Sequence, residues 1–102
     1  MNGITKQEAQ KFLSTVPNDK IYWCRDGRSI SNLRELEGAL ATMDRDTYYF
    51  QSNPIRKTLS SWVQEAIGDQ KLANDLLKTQ DRADAFSAVQ NRVDLLENAV
   101  RG

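Results

Sequence analysis

The chain has 102 residues, 14 basic against 14 acidic side chains, no histidine and one cysteine, Cys24. That length suits a single domain, residues 1–102, with one modest core, and the charge balance gives no overall pull towards nucleic acid or an anionic membrane. The missing histidine and the lone cysteine remove the commonest general base, the usual zinc ligands and any internal disulfide, so no metal, cofactor or catalytic residue is expected.

No apolar run approaches the ~20 residues that span a bilayer, and the first ten residues, MNGITKQEAQ, lack the apolar stretch of a secretory signal. These features predict a soluble, cytoplasmic protein with no membrane partner. In chain order, Thr5 with Glu8 has the spacing of a capping box. Ala9, Phe12, Leu13 and Val16 then follow one helical face up to Pro17, which excludes a helical conformation at the residue before it. Ile21 to Arg25 and Arg28 to Ile30 flank Asp26-Gly27, the pair favoured in two-residue type I′ hairpins. Ile21, Trp23 and Arg25 share one strand face, Tyr22 and Cys24 the other.

Ser31 and Asn32 are N-cap residues, with Glu35 three beyond Asn32, and the stripe Leu33, Leu36, Leu40, Met43 predicts a helix near 33–43. Thr47 to Phe50 is rich in strand formers and predicts a third short strand. Asn53-Pro54 then suits the start of a helix. Its apolar spacing through Ile55, Leu59, Trp62, Val63 and Ile67 runs up to Gly68, a left-handed stop. Asp69 caps the next helix, whose inner face is Leu72, Ala73, Leu76 and Leu77. A last helix begins near Asp81. Its Phe86, Val89, Val93, Leu96 and Val100 recur at a 3-4-3-4 spacing, a seam for the domain's own core or for a twin.

The predicted fold is therefore α+β: a predominantly helical single domain of four to five helices with a small antiparallel hairpin or three-stranded sheet. Its core is centred on Phe12, Leu36, Trp62, Leu72 and Val89. The stretches YWCRDGRSISNLRELEGAL, TYYFQSN and SSWVQEAIGDQKLANDL resemble a family of short uncharacterised prokaryotic domains over roughly residues 12 to 100. The most specific parts are Asp26-Gly27, Asn32-Leu33-x-Glu35-Leu36 and Trp62-Val63 with Ile67-Gly68-Asp69. The histidine of that pattern is Gln51 here, and its Asn-Asp pair is Lys57-Thr58, so a polar site built on them in relatives is altered. The resemblance implies a fold and no established activity.

Cys24 has no histidine to activate it and reads as a packed thiol. Asp26 reads as a turn former. No phosphate-binding glycine loop is present. These points favour a non-catalytic accessory or adaptor domain that binds another protein. The expected contact surface is Tyr22, Arg25 and Arg28 of the hairpin with Tyr48, Tyr49 and Gln51, because tyrosine and arginine are over-used in protein contacts. Self-association along Phe86–Val100 is the homodimer version of that reading. The alternative is a small nucleic-acid-binding regulator using Arg25, Arg28, Arg56 and Lys57. It is disfavoured because the helix after Gly68, the one a helix-turn-helix would insert, carries Asp69 and Asp75 and lacks a phosphate clamp.

Overall fold

A computed structural model describes residues 4–23, 27–42, 55–79 and 81–101, with the side chains of 55–57 excepted. The predicted third strand at 47–50, Met43 and the Asn53-Pro54 helix start lie outside the described residues. Within them there are five α-helices and one two-stranded antiparallel sheet, the predominantly helical α+β architecture expected.

Helix α1 spans Lys6–Leu13 and opens on a complete capping box. The Thr5 hydroxyl accepts from the Glu8 N–H at 3.0 Å, and the Glu8 carboxylate accepts from the Thr5 N–H at 3.2 Å. The helix stops at Ser14, three residues before Pro17. Ser14 turns extended, its hydroxyl bonds back to the Gln10 carbonyl at 2.7 Å, and the Val16 N–H is used across the fold, on the Ser31 carbonyl at 2.8 Å. Val16 is buried without being helical.

A 3₁₀ turn, Asn18–Lys20, leads into β1, Tyr22–Trp23, which pairs with β2, Ser29–Ile30. The register is Tyr22 opposite Ile30 and Trp23 opposite Ser29, one residue away from that of a two-residue Asp-Gly turn. Five residues, 24–28, connect the paired positions. This register sets Tyr22 beside the fully buried Ile30 and turns Trp23 outward with Ser29. The burial of Ile30 decides it, since a one-residue slip would exchange the two faces.

Helix α2, Leu33–Thr42, starts where Asn32 Oδ1 accepts from the Glu35 N–H at 2.8 Å while Glu35 accepts from the Ser31 N–H at 2.7 Å. Helix α3, Ile55–Trp62, continues into a π turn, Val63–Ile67. The buried positions Leu59, Val63 and Ile67 recur every four residues, a wider step than the α period, and the Gly68 N–H closes on the Val63 carbonyl at 2.7 Å. Gly68 has φ +91°, the left-handed region that glycine enters without penalty. Asp69 then caps α4, Gln70–Leu77, through the Leu72 N–H at 3.2 Å. The buried Ser60 hydroxyl donates to the Ala73 carbonyl at 2.7 Å and clasps α3 to α4.

Helix α5, Arg82–Arg101, is the pillar against which α1, α2 and α4 pack; its 20 residues reach about 30 Å. Val89, Val93 and Leu96 are buried, and Phe86 and Val100 pack against the same core. The seam is thus filled by the domain's own interior. Of the predicted core centre, Leu36, Leu72 and Val89 are fully buried, while Phe12 and Trp62 lie at its edge, partly covered.

Candidate functional site

The hairpin is held down on one face and open on the other. The Trp62 indole N–H donates to the Lys20 carbonyl at 2.7 Å, tying the end of α3 to the 3₁₀ turn. The Tyr22 ring leans on Trp62, with centroids 6.1 Å apart and planes at 54°, a tilted contact that suits aromatic quadrupoles. Tyr22 therefore serves largely as a foot of the hairpin. Its neighbour Trp23, on the opposite face by strand alternation, is 67% exposed, the most exposed of the large hydrophobic side chains described.

Among the expected contact residues, Arg28 is turned inward. Its guanidinium donates to the Ala39 carbonyl, at 3.4 Å, and to the Thr42 hydroxyl. The Arg82 guanidinium donates to the Leu40 and Ala41 carbonyls. Two arginines from distant parts of the chain thus occupy the last-turn carbonyls of α2, a helix with no basic residue in its own last turn. This satisfies orphan acceptors and opposes the negative end of the helix dipole. Arg25, Tyr48, Tyr49 and Gln51 lie outside the described residues, as do Cys24, Asp26 and the side chains of Arg56 and Lys57.

Asp69 does more than cap. Its carboxylate, 1% exposed, meets the Arg92 guanidinium in a two-bond fork, Nε to Oδ2 at 2.7 Å and Nη2 to Oδ1 at 2.9 Å, with the Arg92 side chain 10% exposed. The aspartate is therefore unavailable to repel a phosphate, and equally unavailable to a ligand. Its pairing with Arg92 was not visible in the spacing, since the partners are 23 residues apart. On α4 the Lys71 ammonium pairs with Asp75 at 3.0 Å, so the exposed face of the would-be reading helix is internally neutralised.

The described residues carry several concavities. One, of about 280 Å³, opens beside the hairpin and is lined by Asp19, Lys20, Ile21, Trp62, Glu65 and Ala66. A larger groove, about 830 Å³, runs between the start of α1 and the second half of α5, over Ile4, Leu95 and Ala99. Among the described residues no group of three or more His, Cys, Asp or Glu side chains is placed to hold a metal ion, and no helix is long and apolar enough to cross a membrane. No family model, no curated protein and no solved structure matches the chain.

Proposed function

We propose that the chain is a non-catalytic accessory or adaptor domain that binds another protein through its hairpin face. The observation that carries this reading is Trp23. A tryptophan buries about 150–250 Å² when covered, so leaving two-thirds of it in water forgoes roughly 3 kcal/mol of burial. The neighbouring Tyr22 is partly buried against the core and Trp62, while Trp23 is presented outward. Tryptophan is the residue type most often found at interaction hot spots.

The resemblance to short prokaryotic domains adds a fold to this reading and no activity. The reading takes the partner to be a different protein; the Phe86–Val100 seam of the homodimer version packs against the chain's own core. Arg28, engaged on α2, supports the hairpin and leaves the contact to the aromatic face. The test is site-specific photo-cross-linking in the cells that make the protein, with p-benzoylphenylalanine at position 23 and, as a control, at the exposed Asn74. Protein adducts formed from position 23 and absent from position 74 are expected. Adducts that nuclease removes, or identical adducts from both positions, refute it.

A further inference from the structure

The concavity beside the hairpin is lined by the residues that lead directly into β1, and its chemistry is selective. Ile21 and Lys20 on its wall are followed directly by Tyr22 and Trp23, so the cavity mouth lies within roughly 10 Å of chain from the exposed indole. Its volume, about 280 Å³, is at the bottom of the range for small-molecule sites and accommodates one long side chain. Asp19 comes from the 3₁₀ turn and Glu65 from the π turn, two elements that meet only in the fold. Among the described residues neither carboxylate has a hydrogen bond or ion pair, and the Lys20 ammonium pairs with neither. The lining thus carries a net charge of −1, from Asp19 and Glu65 against Lys20. Its aromatic wall is Trp62, whose ring is fixed in advance by the bond to the Lys20 carbonyl and by Tyr22.

We propose that this pocket receives an arginine side chain from the protein that contacts Trp23, an inference that rests on the reading of the hairpin face as a protein-binding surface. A guanidinium matches the lining better than an ammonium. It stacks flat on an indole and offers a rigid fork of donors to carboxylates. The immobilised Trp62 ring reduces the ordering cost of forming that contact. Trp23 and the pocket then form one footprint, with an aromatic projecting into the partner and a cation received from it.

The test uses the full chain and two small probes, N-acetyl-arginine amide and the uncharged isostere N-acetyl-citrulline amide, followed by ¹H–¹⁵N NMR. The arginine probe is expected to shift the Trp62 indole N–H and the Glu65 and Ala66 amides saturably, and the citrulline probe to leave them in place. An Asp19→Asn, Glu65→Gln variant is expected to bind the arginine probe roughly five- to tenfold more weakly. Glu65→Gln alone serves if the double variant alters the spectrum elsewhere. No saturable shift with the arginine probe, an equal response to citrulline, or unchanged affinity in the variants overturns the proposal. Cross-linking from position 23 is read separately, so a failed pocket with intact adducts is distinguishable from failure of the protein-binding reading itself.

Discussion

Replacing Arg92 by methionine isolates the interaction that fixes the Gly68–Asp69 corner to α5. The substitution keeps most of the side chain's volume and removes its charge. It leaves the Asp69 carboxylate, 1% exposed, with the Leu72 N–H, at 3.2 Å, as its one remaining hydrogen-bond donor among the described residues. Removing one partner of a buried pair costs about 3–5 kcal/mol. A domain of this length has a total stability on the order of 5–15 kcal/mol, so the variant forfeits at least about a fifth of it. The contrasting surface pair is Arg34–Glu97 at 2.8 Å, with side chains 54% and 31% exposed; Arg34→Met should cost under about 1 kcal/mol although its contact is nearly as short. The assay is urea unfolding followed by far-ultraviolet circular dichroism, with the Asp69→Asn, Arg92→Met double variant closing a thermodynamic cycle. The double variant should lose less than the sum of the single losses, with a coupling of about 1–3 kcal/mol. An Arg92→Met loss below about 1 kcal/mol, or additive single losses, would refute the argument.

Three further outcomes are expected. Gly68→Ala should cost about 1–2 kcal/mol from backbone strain alone: φ is +91°, while an added Cβ would meet only the Phe12 ring, at an ordinary 3.8 Å. Equilibrium unfolding measures it, and a stability unchanged within error contradicts the left-handed assignment. Trp62→Phe retains an aromatic ring but removes the donor to the Lys20 carbonyl, for about 1 kcal/mol, and should loosen the 3₁₀ turn while leaving α4 and α5 unaltered; amide shifts at 18–23 report this, and unchanged shifts there count against it. Arg82→Met strips a donor from the Leu40 and Ala41 carbonyls and should accelerate amide exchange in the last turn of α2 but not in its first; uniform exchange along α2 would show that Arg82 does not hold that end.

What could be read from the sequence was what is decided within a few residues. The Thr5–Glu8 box, the Asn32–Glu35 cap and the Gly68–Asp69 corner are each a local exchange between a backbone group and a side chain at most three positions away. The 3-4-3-4 stripe of α5 was legible for the same reason, and α1, α2 and α4 pack against that helix. Long-range polar bonds were not legible. Trp62 to Lys20 and Arg82 to Leu40 each span 42 residues, and no local pattern distinguishes those side chains from surface ones. The same limit hid the bonds that Arg28 makes to the last turn of α2. The hairpin was legible but its register was not, because Asp26-Gly27 states a turn preference, whereas the pairing of Tyr22 with Ile30 answers to the core. The π turn had a faint signal, the unbroken step of four through Leu59, Val63 and Ile67. In the candidate site, the aromatic hairpin was legible as an element, but which ring faces water depended on that register.

On the proposed function, Trp23 is the contact residue and the rest of the hairpin its mount. The most direct measurement is calorimetric titration of the partner recovered by cross-linking against wild type and Trp23→Ala, with thermal unfolding of both proteins in parallel. The account predicts a loss of at least about 2 kcal/mol, roughly thirtyfold in Kd, at an unfolding temperature close to wild type. Binding retained within about twofold, which is under ~0.5 kcal/mol, would contradict it.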